Sequence, residues 1–173
     1  MTYTPRSLLY FMIGATTALT ACGTGQNPLD LIDSSESTIE MDLPFTATAQ
    51  SLTGYSSAGI HMGWILPTLG TSYSILAPVG GLVVAANSAQ NASQVTIRVN
   101  STYQVTVASM LNLGNVRAGD EVSRGDTLGT TSTTVTVSVE RNGTETCPYP
   151  YFSATALDAI NLLANAYSVN LCD

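Results

Sequence analysis

The sequence predicts a small, mainly β domain closed by one C-terminal helix. Three observations predict it. β-Branched and polar residues alternate in several short stretches, as in QVTIRV at residues 94–99 and TTVTVSV at residues 133–139. Successive strand side chains point to opposite faces, so this alternation marks half-buried strands. Glycine-bearing turn signals, such as Asn142-Gly143, punctuate these stretches. Only residues 153–167 change to apolar spacings of three and four, the period of a helix. Many short strands with little helix imply a compact antiparallel sandwich or barrel.

The chain begins differently. Arg6 is the only charged side chain before Asp30, and an apolar and small-residue run, 7–21, follows it. That is the layout of a signal peptide, and the run is short for a membrane span of about 20 apolar residues. Leu19-Thr20-Ala21-Cys22 resembles the bacterial lipobox. The resemblance implies that residues 1–21 are removed and that Cys22 carries lipid and acyl chains, enough to hold a protein on a membrane. By resemblance to Gram-negative sorting signals, in which an aspartate after the cysteine retains the protein at the inner membrane, Gly23 implies sorting to the outer membrane and its periplasmic face. An ordinary signal peptide with Cys22 in its tail, or a short buried helix, is the alternative.

Residues 22–43 are small, polar and acidic and read as a flexible tether. Five acids fall between Asp30 and Asp42; a solvated spacer accounts for them more simply than a metal chelator. The β domain is expected over residues 44–150. Residues 45–52 read as a first strand, and 54–63 as a glycine-punctuated loop holding the only histidine, His61. Gly80-Gly81 reads as a tight turn between two short strands. Residues 94–99 and 102–109 read as a hairpin turning at Asn100-Ser101. RAGDEVSRGDTLG, residues 117–129, holds two Gly-Asp turns around an isolated valine. Residues 133–139 form another strand. The tail, 151–173, carries the helix, with Ser153 as its N-cap and Leu157, Ile160, Leu162, Leu163 and Ala164 as apolar positions.

Twelve acidic residues stand against five arginines and no lysine, a net charge of -7 that becomes -8 once Arg6 is removed. This excludes nucleic acid, which needs a basic surface, and adhesion to anionic lipid by charge. With Cys22 assigned to lipid, Cys147 and Cys172 remain, an even pair in an oxidising compartment. A disulfide is the first expectation; two free thiols or metal binding by the pair are the others. The triplets beginning at Asn91, Asn100 and Asn142 match a glycosylation acceptor but read as turn residues.

Several motifs occur in one order over residues 60–141. They are His61-Met62-Gly63-Trp64-Ile65, Gly70-Thr71, Ala77-Pro78-Val79-Gly80-Gly81-Leu82-Val83, the fourteen residues from Val116 to Gly129, and Glu140-Arg141-Asn142-Gly143 followed by Pro148. Together they resemble the core of the M23 peptidase, or LytM-like, family, a duplicated hybrid motif of β hairpins. Its members are zinc metallopeptidases that cut peptide cross-links in bacterial cell walls. The resemblance implies an antiparallel β sandwich with barrel-sandwich-like hairpins. It also implies where zinc ligands should stand: a histidine at His61, an aspartate four residues on, and the second histidine of a His-x-His pair on a later strand, while the first of that pair and a histidine after the middle strand help activate water and steady the transition state.

Only His61 survives. The aspartate position is Ile65, the His-x-His positions are Thr134 and Thr136, and a further histidine position falls within one residue of Ser109. A zinc peptidase needs about three strong donors and an activated water. One imidazole does not supply them, so neither catalytic residues nor a metal or other cofactor is expected. His61 then reads as a loop histidine left on an old cleft wall. Asp120 and Asp126 are each expected to bond a backbone amide in their turns rather than act as acid and base. Gly119, Gly125 and Gly129 are expected to set backbone angles.

The resulting expectation is a non-catalytic, M23-like envelope lipoprotein. Its partners would be the membrane, through Cys22, and peptidoglycan, a cell-wall hydrolase or another envelope protein. Two other classes compete. A divergent zinc metallopeptidase should release soluble cell-wall peptides. A barrel-sandwich adaptor of an envelope complex shares the hairpin fold, although a lipoyl or biotinyl carrier is excluded because the chain has no lysine to modify.

Overall fold

The computed structural model describes residues 38–68, 72–90 and 92–173. The lipobox, Cys22, most of the tether and the Gly70-Thr71 turn lie outside them. Among the described residues, eleven strands form two antiparallel sheets. Strands β1 (Ser51–Thr53), β2 (Met62–Ile65), β4 (Gly81–Asn87), β5 (Ser93–Arg98), β6 (Tyr103–Met110), β8 (Glu121–Val122), β10 (Thr134–Arg141) and β11 (Thr144–Thr146) make the larger one. Its order is β1-β2-β10-β6-β5-β4-β8, with β11 beside β10. Strands β3 (Tyr73–Leu76), β7 (Asn112–Leu113) and β9 (Thr127–Thr131) make the smaller sheet, ordered β3-β9-β7. Helix α1 (Ala154–Tyr167) follows. The mainly β, two-sheet architecture with a C-terminal helix is the expected fold class.

The alternating segments became the central strands. Met62 and Trp64 of β2, Val135, Val137 and Val139 of β10, Val105 and Val107 of β6, and Val95 and Ile97 of β5 are all buried. They form one apolar face, joined in the core by Ile75 and Leu128 of the smaller sheet. Burial of each such side chain contributes about 1.5–3 kcal/mol. Trp64 stands between Phe45 and Phe152, edge to face, with centroids 5.6 and 5.9 Å away. The indole thereby joins the entry segment, the sheet and the start of the helix.

Several expectations are corrected. The packed chain reaches back into the expected tether: Ile39 and Met41 are buried, and Met41 bridges Phe152 in parallel. Two apolar residues between acids are enough to dock that segment. Of residues 45–52, only the last two are in a strand. Residues 44–50 cross between the sheets, bonding β3 through the Pro44 carbonyl and the Ile65 carbonyl through the Gln50 amide. Gly80-Gly81 does not close a hairpin, because β3 and β4 belong to different sheets. Glycine is needed there for closeness: a Cβ on Gly81 would lie 2.5 Å from the Arg98 carbonyl oxygen. Gly129 is likewise a close-approach residue, 2.3 Å from the Asn112 carbonyl oxygen by the same measure.

The Asn100 turn forms as expected, its side-chain oxygen accepting from the amides of Thr102 and Tyr103 at 2.9 and 2.8 Å. Asn142 and Gly143 both have positive φ, the requirement of a two-residue hairpin that joins β10 to β11. Ser153 caps α1, accepting from the Ala156 amide while its hydroxyl donates to Asp42 at 2.7 Å. Ala156, Ile160 and Ala164 are the buried helix positions, and Leu162 is exposed. Cys147 and Cys172 are joined in a disulfide with Cα atoms 5.7 Å apart. The bridge holds the tail where the Tyr55 amide donates to the Leu171 carbonyl.

Candidate functional site

The larger sheet has an outer face fixed by the inner one. Because Met62 and Trp64 point into the core, Gly63 and Ile65 point out. Because Val135 and Val137 point in, Thr134 and Thr136 point out. Register then brings them together: Ile65 stands opposite Thr134, Gly63 opposite Thr136, and Thr136 opposite Ala108 on β6. Directly opposed residues share a face at about 5 Å. So Ile65, Thr134 and Thr136, separated by some seventy positions in sequence, form one patch.

Ser109 joins this patch through a bulge. Its φ is 65°, left-handed, inside strand β6. Ser93 pairs with Met110 and Val95 with Val107, so two steps on β5 oppose three on β6. The bulge sets the Ser109 hydroxyl 3.3 Å from that of Thr136. Thr131, at the end of β9, is 2 % exposed. Its hydroxyl donates to the Thr134 carbonyl at 2.7 Å and lies 3.3 Å from the Ser109 carbonyl. One buried threonine therefore ties the start of β10 to the bulge of β6. Beside it lies an open cavity of about 480 Å³, lined by Ser109, Leu111, Thr131, Ser132, Thr133 and Thr134. None of these six carries a charge.

His61 sits apart from this cavity lining. Its Nδ1 lies 2.7 Å from Glu145 Oε1, with both side chains partly exposed. Strand β11 continues along the edge of β10 that β2 leaves, which sets Glu145 opposite Glu140 near the end of β2. The expected bystander histidine thus has a partner. Nothing in the spacing of the sequence marks Glu145, although the Asn142-Gly143 turn could have placed it opposite Glu140. Thr131 and Leu111 also escaped sequence reasoning, because neither belongs to a mapped family position.

Ile65 is 46 % exposed. It lies on the outer face of the sheet and not in the core. Threonine and serine hydroxyls are poor zinc donors at neutral pH, and isoleucine is none. The donors at this patch do not fit a catalytic zinc ion. Among the described residues, no group of three or more His, Cys, Asp or Glu side chains is placed to hold a metal.

Asp120 and Asp126 do what their turns require. Asp120 accepts from the Arg117 amide at 2.8 Å, and Asp126 from the Ser123 amide at 2.7 Å. Gly119 and Gly125, with φ of 99° and 90°, complete the two turns.

No protein-family profile matches the sequence, and no curated protein resembles it closely enough to be matched. Its fold does match solved structures. Pseudoalterin, an M23 metalloprotease from the deep sea, superposes with a TM-score of 0.55 over 68 % of this chain and 80 % of its own, at 18 % identity. Csd3 of Helicobacter pylori gives 0.55 over 75 % of this chain and 41 % of its own, at 17 % identity. A chain of the SpoIIQ-SpoIIIAH pore-forming complex gives 0.54 over 72 % of this chain and 98 % of its own, at 13 % identity. At these identities the likeness is one of fold: an M23-like β sandwich.

Proposed function

We propose that this protein is a non-catalytic M23-like lipoprotein of the bacterial envelope, anchored through Cys22 and binding peptidoglycan in the cleft beside β10. One observation carries the reading. Ile65, Thr134, Thr136 and Ser109 stand at the positions where the family resemblance asks for a carboxylate and imidazoles, and they gather on one face beside an open cavity without offering a metal donor set. A fold that keeps its cleft and lacks the ligands for hydrolysis can still hold what the cleft fits. A divergent metallopeptidase is disfavoured by the same donor count.

A second reading has an observation of its own. The chain of the pore-forming complex matches over 98 % of its length, so this fold also serves in an assembly of proteins. An envelope protein would then occupy the same cleft or another face.

Incubating the protein with purified peptidoglycan and sedimenting the complex tests the first reading. Retention above that of an unrelated lipoprotein is expected. No excess retention eliminates the cell-wall reading and leaves the protein partner. The anchor is tested separately: Cys22→Ala should release the protein from the membrane fraction, and a variant that stays there contradicts lipidation at Cys22.

A further inference from the structure

Tyr55 stands just past β1, the edge strand of the larger sheet. Its amide donates to the Leu171 carbonyl at 3.0 Å, and its carbonyl accepts from the Asp173 amide at 3.1 Å. The two bonds make a parallel bridge between Tyr55 and Cys172. The C-terminal tail, residues 169–173, is thereby seated on that edge as a short strand. It alternates as a strand does. Val169 and Leu171 are half-buried against the core, while Asn170, Cys172 and Asp173 are exposed.

Gly54 fits this seat to a close approach. A Cβ there would lie 1.8 Å from the Asn170 carbonyl oxygen and 3.2 Å from the Leu171 Cα. The three atoms nearest that Cβ all belong to the tail. The φ of Gly54 is outside the left-handed region, so its own backbone makes no demand for glycine. The demand comes from the strand lying against it.

Two backbone bonds and two half-buried side chains are a small hold for a chain end. The disulfide from Cys172 to Cys147 fixes the far end of the tail and so raises its effective concentration at Tyr55. The two sulfurs differ in access, since Cys172 is exposed and Cys147 half-buried. A thiolate of a dithiol reductant attacks the Cys172 sulfur, and Cys147 leaves as thiolate. The second thiol of the reductant then displaces Cys172 from the mixed disulfide. The dithiol ends as a disulfide and both cysteines as thiols, its two electrons and two protons having moved to them.

We propose that residues 54–55 form a strand-docking site, closed by the chain's own disulfide-held tail and opened by a dithiol reductant to an extended segment of a partner protein. The occupant is read from the tail itself: an extended segment with apolar residues at alternate positions, which accepts from the Tyr55 amide and donates to the Tyr55 carbonyl. The site does not rest on the peptidoglycan reading.

Nuclear magnetic resonance of the full chain in detergent reads the opening. On reduction, and in Cys172→Ser, the amide resonances of residues 169–173 should move to unfolded-chain positions and that of Tyr55 should shift. Those of Val107 and Val137, in the central strands, should stay. Unmoved tail resonances, or loss of the Val107 and Val137 resonances as well, overturn the opening. Covalent capture reads the docking. The Cys172→Ser protein is offered a peptide of residues 168–173, joined through its cysteine to glutathione, beside a peptide of the same composition in scrambled order. Attack by the Cys147 thiolate releases glutathione and leaves the peptide on Cys147, where mass spectrometry maps it. The tail sequence should be captured at least about fivefold faster than the scrambled one, the effect of one neutral hydrogen bond. Gly54→Ala in the same background should erase that preference, because the added Cβ meets the peptide backbone. Equal capture of the two peptides, or a preference that survives Gly54→Ala, overturns the docking site. The Val107 and Val137 resonances check that Gly54→Ala folds; if it does not, the two peptides on the Cys172→Ser protein decide.

Discussion

At the scale of residues, hydroxyls hold the cleft together. The buried Thr131 hydroxyl is the joint, because it satisfies a carbonyl on β10 and approaches one on the β6 bulge. Thr131→Val keeps the shape and removes the donor. It should cost about 1–2 kcal/mol in a denaturant titration; an unchanged midpoint would mean that the two bonds add nothing. His61 is a different case. Its pair with Glu145 is 2.7 Å long but partly solvated, and exposed pairs contribute about 1 kcal/mol or less. His61→Ala should therefore shift stability by no more than that. The two Gly-Asp turns were readable from the sequence, since a short carboxylate after a turn glycine has an amide within reach. The φ of Ser109 was not, because a serine in an alternating run carries no sign of a bulge.

At the scale of elements, legibility followed the alternation. Residues 94–99, 102–109 and 133–139 alternate because one face meets the core and the other meets solvent, so β5, β6 and β10 could be read directly. Residues 45–52 could not, and for residues 74–85 the two short strands were legible but not their membership of different sheets. The first cross between layers, and the second change sheets at Gly80-Gly81, so neither keeps one face to the core. The crossing explains the glycine. Gly81→Ala would press a Cβ to 2.5 Å from a carbonyl oxygen of the paired strand β5, and backbone cannot yield as a flexible side chain does. A loss of about 1–3 kcal/mol, the range for overpacking, is expected in thermal or denaturant unfolding. Ser153→Ala removes both the N-cap and a hydroxyl bond to Asp42. It should cost about 1 kcal/mol or somewhat more; a neutral outcome would show that α1 is held by packing alone.

At the scale of the whole molecule, the helix is enclosed by a covalent loop. Cys147 and Cys172 are 25 residues apart, and closing a loop of that length stabilises by roughly 3–4 kcal/mol in the chain-entropy account. Reduction should lower stability by about that amount and loosen the tail beside Tyr55. Alkaline pH acts at the same end of the domain. Burial pushes the Tyr151 phenol above its ordinary value of 10.0, helped by Tyr103 and opposed by Arg141 and a hydrogen bond from Thr146. The unfolded chain then loses this proton first. Stability from the group is full below pH 10 and declines as pH rises through the folded value. Tyr151→Phe should flatten that alkaline limb, and an unaltered limb would exclude Tyr151 as its source.

The central claim is that an M23-like fold here carries a cleft without catalytic zinc. It rests on one histidine in the whole sequence and on threonines and an isoleucine gathered where ligands would be needed. The sharpest test is the zinc content of the purified protein, paired with its thermal melt with and without chelator, in wild type and His61→Ala. The account predicts substoichiometric zinc and melts that chelator leaves unchanged in both proteins. One zinc per chain, with a chelator-induced drop in melting temperature confined to wild type, would contradict it.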